Sequence, residues 1–200
     1  MGLEKEILTV YSEINQPIGT KNREDAIKEG LLVEGVQLWI INPDTNQVLM
    51  QRRSRNKKNN PGKTDVSVSG HVKSTETPTQ AILREASEEI GIKDRQLLFG
   101  KIQKIAHSQI DLRKFGRQGN YIMTFFLAFL NDSLDTYVKD DEEVEQLFFM
   151  DYEELKTRVR QNDSEMLIPK SEQTERIFSI LDEKIRNRNK GKEMIIWEER

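Results

Sequence analysis

Three glutamates carry the most chemistry in this sequence. Glu85, Glu88 and Glu89 stand at i, i+3 and i+4 within TPTQAILREASEEIG, residues 77–91. The segment reads as a helix with marked ends. Thr77 suits the N-cap, Pro78 the first helical position, and Gln80 completes a Thr-x-x-Gln capping box. Gly91 stands where a helix end favours a left-handed residue. At 3.6 residues per turn the three carboxylates share one face, and Ile82, Leu83, Ala86 and Ile90 form the adjoining stripe. The acidic cluster therefore borders the buried side of the helix.

Like charges at this spacing repel by a few tenths of a kcal/mol per pair, and the C-terminal half of a helix disfavours anions. Arg84 is the only cation on the helix and cannot neutralise all three. A hard divalent cation resolves the conflict, because Mg²⁺ takes oxygen ligands and keeps positions for water and phosphate oxygens. On its own, an acidic run is also what a solvated helix face looks like in a chain with 34 acidic residues.

The elements that must position this helix are legible in outline. The chain has 200 residues, 31 Lys+Arg against 34 Asp+Glu, two His and no Cys, for a net charge of −3. That length encloses one core, and we read one domain over 1–200. It has an N-terminal strand and turn (1–30), a core (31–150) and a C-terminal helical extension (151–200). The absence of Cys excludes disulfide staples, thiolate metal sites and a Cys nucleophile. The slightly acidic balance argues against a nucleic-acid partner. No apolar run is long enough for a membrane span, and the N-terminus has Glu and Lys where a signal peptide needs an apolar run. Met1-Gly2 lacks the Ser or Thr at position 6 that myristoylation favours, since Glu6 stands there. A cytoplasmic protein is the expectation.

Residues 5–14 alternate as a strand, NQPIGT (15–20) reads as a turn, and 32–41 and 48–52 read as strands of a hairpin. A basic loop follows (52–64), then a short strand (65–70) and the helix. Further strands are expected near 96–107, 120–130 and 144–150, with helices at 151–161 and 170–188 and a solvated charged tail (183–194). Strands, helix, strands, then helices fit a layered α/β domain with a mixed sheet rather than a doubly wound one.

The helix belongs to a longer pattern. Gly70, five residues, Glu76, seven residues, then Arg84-Glu85-Ala86-x-Glu88-Glu89-x-Gly91-Ile92 is the full signature of the Nudix family. With about 0.07 for each of the seven fixed residues, chance yields on the order of 10⁻⁶ to 10⁻⁵ matches in a chain of this length. Ala86 is smaller than the usual Leu or Ile, and Thr75 stands where many members have Gly. Residues 5–150 more narrowly resemble the branch that includes type I isopentenyl-diphosphate isomerases and their hydrolase-like relatives. The features are Gly19-Thr20, Arg23, Gln51-Arg52-Arg53-Ser54, Lys57, Pro61-Gly62, Asp65 and Gly70-His71-Val72. Thr64 replaces a Trp common in relatives, and DAIK (25–28) lacks a His that many carry.

The resemblance implies an α/β/α sandwich with a mixed sheet, of α+β type. It implies metal-assisted attack of water on a diphosphate linkage, in a nucleoside diphosphate linked to another moiety or a similar small organic diphosphate. The metal would be Mg²⁺, with Mn²⁺ as an alternative. The ligands would be Glu85, Glu89 and the main-chain carbonyl of Ser69, with Glu88 a third ligand or the base. Glu142 or Glu143 would be a further carboxylate from a later loop. Arg84 and Glu76 would pair to hold the catalytic helix, with Gly70, Glu76 and Gly91 as structural positions of the motif. Arg52, Arg53 and Lys57 form either an ordinary basic loop or a diphosphate clamp, since Arg forks match phosphate oxygens. The isomerases favour Arg53 and Lys57. His71 is either a metal ligand or a structural hydrogen-bonding group, and His107 is structural. Trp39, Trp197, Phe125, Phe126 and Phe129 are core or lid packing. Isomerase chemistry needs a Cys at the position of Ser69, and Ser lacks a readily ionised thiol. That leaves isomerase activity and a non-catalytic ligand sensor as the alternatives. A homodimer is compatible with the C-terminal extension.

Overall fold

The computed structural model of the chain describes residues 6–198, with side chains through Arg188. The Met1-Gly2 terminus and the Trp197 side chain lie outside the described residues. In chain order the strands are β1 (Ile7–Tyr11), β2 (Pro17–Asn22), β3 (Leu32–Ile41), β4 (Gln47–Arg53), β5 (Thr64–Asp65), β6 (Val68–His71), β7 (Gln103–Asp111), β8 (Asn120–Phe129) and β9 (Val144–Asp151). The α-helices are α1 (Arg23–Lys28), α2 (Pro78–Glu89), α3 (Arg95–Lys101), α4 (Tyr152–Arg160) and α5 (Glu172–Glu198).

β3 is the spine. Along its full length one edge pairs parallel with β8, from Leu32↔Asn120 to Ile41↔Phe129. The other edge is shared by antiparallel partners: β1 at Leu32 and Val33, β6 from Gly35 to Leu38, and β4 at Ile41↔Val48 alone. The sheet is therefore mixed. The expected 36–52 hairpin opens after one pair, and β4 turns away to pair with β9 and β5. Ser67 fills the gap where β3 and β4 part. Its buried hydroxyl donates to Leu49 O at 2.6 Å and accepts from Ile40 N at 2.9 Å.

A strand covered on both faces reads as a near-continuous apolar run, and LVEGVQLWII is one. Its alternation sends Val36, Leu38 and Ile40 to a core with Ala81, Ile82, Ala86 and Ile90 of α2. Trp39 and Ile41 go to a second core with Tyr152 and Leu155 of α4 and Phe178 and Leu181 of α5. Trp39 meets the Phe178 ring edge-on at 6.1 Å. Helices thus cover both faces of a mixed sheet, the expected α/β/α sandwich. The α2 boundaries come from the residues expected to set them. Thr77 and Gln80 form a reciprocal capping box, and Gly91 takes φ 72 with no room for a Cβ, which would lie 2.5 Å from Val138 O.

Three elements differ from the sequence reading. Residues 17–20 are not a turn but part of β2. The reversal comes earlier, at Ser12–Gln16, with Asn15 at φ 60. Pro17 is tolerated because it opens an edge strand, where no ladder donor is required. Residues 23–28 form α1, capped by Asn22 and burying only Ala26. Residues 96–101 form not a strand but most of α3. Asp94 caps it by accepting from Leu97 N at 2.8 Å, and Leu98 alone is buried.

Ser67→Ala is expected to destabilise the chain by about 1–3 kcal/mol, because a buried Ile40 N–H loses its acceptor and Leu49 O its donor. Urea denaturation measures this directly.

Candidate active site

Glycine at position 70 lets the catalytic-motif helix approach the sheet. A Cβ built there would lie 2.1 Å from Glu85 Oε1, so any side chain would displace the carboxylate. Gly70 lies in β6, paired to Val36. Glu85 and Glu89, one helical turn apart on α2, face this strand.

Two hydrogen-bond networks meet here. In the first, Arg84 grips Glu76 with two nitrogens, Nε to Oε1 at 2.7 Å and Nη2 to Oε2 at 3.0 Å. It also donates to His71 O at 3.1 Å, Glu85 Oε1 at 2.8 Å and Glu88 Oε2 at 2.9 Å. The guanidinium thus ties the helix to β6 and to the loop before the helix. Burial works against its charge, yet Glu76 and Glu85 hold its pKa above the ordinary Arg value. Burial also pushes the Glu76 carboxyl up, but the Arg84 fork more than offsets this and holds it below the usual range.

The second network surrounds Glu89, only 4% exposed. Its Oε2 accepts from Gln51 Nε2 at 3.0 Å and Ser69 N at 3.2 Å. Ser69 Oγ in turn donates to Asp65 Oδ2 at 3.1 Å. Among the described residues Glu89 enters no ion pair. Burial, then the charge of Glu85, pushes its pKa up to about 8, with Gln51 and Ser69 pulling the other way. Burial likewise pushes Glu85 up to about 7, against the pull of Arg84. The two carboxylates are thus poorly compensated where they stand. Carboxylate oxygens of this kind are the donors that a hard cation takes.

The three carboxylates have different partners here. Among the described residues no three His, Asp or Glu side chains are grouped to hold a metal ion. Glu88 is the member that departs. Its carboxylate is turned to Arg84 and half exposed, because Arg84 lies one turn before it on the same side of α2. Glu143 lies on the 139–143 loop. Its carboxylate pairs with Lys57, which ties the basic loop to the 139–143 loop, while Glu142 is exposed. Along β4, Leu49 and Gln51 face α2 and Met50 faces the second core, and a bulge between Arg52 and Arg53 breaks this alternation where the two arginines stand.

Arg53 and Lys57 lie near His71. The buried His71 ring is held down to a pKa of about 3, first by burial and then by Arg23, Arg84, Arg53 and Lys57. Among the described residues its Nε2 has no hydrogen-bond partner, and the ring lies 5.7 Å from Tyr121. His107 pairs with Thr124 Oγ1 at 3.0 Å. The sequence reading gave no role to Gln51 as the partner of Glu89 or to Asp65 as the partner of Ser69. Only the alternation of β4 could have hinted at Gln51.

The NUDIX domain model matches residues 32–168, and the chain belongs to the NUDIX domain family. Nudix hydrolase 3 of Arabidopsis thaliana is 28% identical over 148 residues, which cover 72% of this chain and 19% of that protein. The chain likewise spans about half the length of several bacterial Nudix relatives. A solved structure from Deinococcus radiodurans superposes with a TM-score of 0.64 at 20% identity, covering 88% of this chain and 99% of that one. A bifunctional NMN adenylyltransferase/ADP ribose pyrophosphatase from Francisella tularensis, complexed with AMP and a manganese ion, matches with a TM-score of 0.53. It is 21% identical over 76% of this chain and 41% of its own. At these identities the structures establish the shared fold. No described helix is long and apolar enough to cross a membrane.

Both glutamates have folded pKa values above the ordinary carboxylate range. At these two groups the metal-free folded protein therefore holds more protons than the unfolded chain between about pH 4.5 and 8, offset in part below about pH 6.5 by His71, which stays neutral in the fold. Its stability is expected to fall as pH rises through that window, by on the order of a few kcal/mol, and to level off above it. Glu89→Gln is expected to remove much of this slope. Urea denaturation at a series of pH values, with chelator present, checks both.

Proposed function

We propose that this chain hydrolyses the diphosphate linkage of a small organic diphosphate, such as a nucleoside diphosphate joined to another moiety. The reaction would use a divalent cation, Mg²⁺ or Mn²⁺, held by Glu85, Glu89 and the Ser69 main-chain carbonyl. The observation that carries the reading is the pair of buried carboxylates on one turn of α2, pressed against a glycine and with no cation on Glu89. A divalent cation bound there supplies Lewis-acid polarisation of the diphosphate and lowers the pKa of a bound water.

The chain's own residues do the rest. Arg84 fixes the helix that carries both ligands. Glu88 keeps Oε1 clear of Arg84 and takes the proton of the attacking water. Arg53 and Lys57 meet the diphosphate from the His71 side, with Lys57 leaving Glu143 to do so. His71 stays neutral and serves as a hydrogen-bonding group. We take residues 1–200 to belong to one domain, a reading supported by the 165–167 segment pairing with Thr64 beside Asp65, and we place the protein in the cytoplasm. A homodimer would leave this chemistry unchanged.

Within the family, we assign the chain to the hydrolase-like relatives of the type I isopentenyl-diphosphate isomerases. Ser69 stands where the isomerase Cys is expected, and its hydroxyl is committed to Asp65. The experiment is a panel of nucleoside diphosphate compounds, including ADP-ribose, together with isopentenyl diphosphate, assayed with Mg²⁺ and Mn²⁺. We expect phosphate or monophosphate release from the hydrolase substrates and no isomer exchange. Glu85→Gln and Glu89→Gln should each lower kcat roughly 10³-fold, the several kcal/mol that metal-assisted charge stabilisation contributes. Glu88→Gln should cost about 10²-fold. Turnover indifferent to all three would contradict the reading, and saturable binding without turnover would identify a sensor.

A further inference from the structure

Gln51 is a buried polar side chain for which the motif provides no role. It is 1% exposed and comes from β4, 38 positions before Glu89 in the chain. Its neighbour on the same face is Leu49, a core residue, so no solvent competes for the amide. Nε2 donates to Glu89 Oε2, the same oxygen that takes Ser69 N. No donor among the described residues reaches Oε1.

We propose that Gln51 is a positioning residue for the cation site. Its amide pins Oε2 of Glu89, so the other oxygen, Oε1, is the one offered to the metal. This rests on the reading of Glu89 as a ligand. The chemistry explains why the residue is a carboxamide. An amide donor orients a carboxylate without neutralising it, leaving its charge for the cation. Lys or Arg at 51 would form an ion pair and compete with the metal, while a second carboxylate would repel Glu89. Without Gln51, the Ser69 N–H at 3.2 Å is the one remaining restraint on the carboxylate, and the side chain must give up rotamer freedom when it binds.

The test is free Mn²⁺ counted by electron paramagnetic resonance over the full chain and its Gln51→Met, Gln51→Lys and Glu89→Gln variants. Thermal unfolding in chelator runs beside it. Gln51→Met, close in size and without a donor, should raise the Mn²⁺ Kd roughly 10- to 100-fold, the usual effect of losing a partner behind a metal ligand. Saturating Mn²⁺ should restore most of kcat, with KM for the organic diphosphate changed less than about threefold. Gln51→Lys keeps a donor, so it should fold at least as stably as the unsubstituted chain in chelator and still bind Mn²⁺ at least as weakly as Gln51→Met. A Gln51 that only fills space would lower the unfolding temperature and leave the Kd alone. Unchanged affinity in both Gln51 variants beside a loss in Glu89→Gln overturns this proposal and leaves the hydrolase reading standing. No saturable Mn²⁺ binding by the unsubstituted chain overturns both.

Discussion

Two carboxylates have been taken out of water with only the shared Arg84 guanidinium on Glu85 and, among the described residues, no cation on Glu89, and much of the molecule arranges that cost. Glu85 presses on Gly70 so closely that no other residue fits there. Glu89 lies deeper and, among the described residues, has amide donors only. Burying an unpaired carboxylate is expensive, and a group so placed either takes a proton or finds a cation. The raised pKa values of both residues describe the first outcome in the metal-free chain. The carboxylate oxygens themselves, hard donors, are what would favour the second.

The scaffold follows from that constraint. α2 must carry charge on one side and core on the other, and Ala81, Ile82, Ala86 and Ile90 hold it to the sheet. Arg84 is the clasp between helix, preceding loop and β6. Its five contacts to Glu76, Glu85, Glu88 and His71 O make it a structural cation, no longer free to neutralise Glu89. At the other end β4 must leave β3 after a single pair so that Gln51 can face Glu89, and Ser67 satisfies the backbone groups that this divergence exposes. The C-terminal segment then pairs with Thr64, next to the aspartate that holds Ser69.

Much of this was legible in the sequence, where the signal is local. The α2 caps, the long apolar strands β3 and β8 and the charged positions of the motif are fixed by spacing within a few residues. Short elements were not legible. α1 buries one alanine, and α3 exposes Leu97 and Phe99 while burying Leu98, so apolar content alone suggested a strand. Pro17 and Gly19 mark turns in general, but an edge strand accepts them. Partners across large separations were hidden as well. Gln51 finds Glu89 and Lys57 finds Glu143 through tertiary packing, which composition does not encode. The orientation of Glu88 was hidden for a related reason. Periodicity put three carboxylates on one side of a helix but could not say that Arg84 would claim Glu88.

The most direct measurement is a crystal structure of the chain grown with Mn²⁺ and examined for anomalous scattering. The account predicts a strong peak bounded by Glu85, Glu89 and the Ser69 carbonyl oxygen, with Glu88 still turned to Arg84. A peak elsewhere, or protonated carboxylates bonded to one another with no metal at saturating Mn²⁺ and alkaline pH, would contradict it.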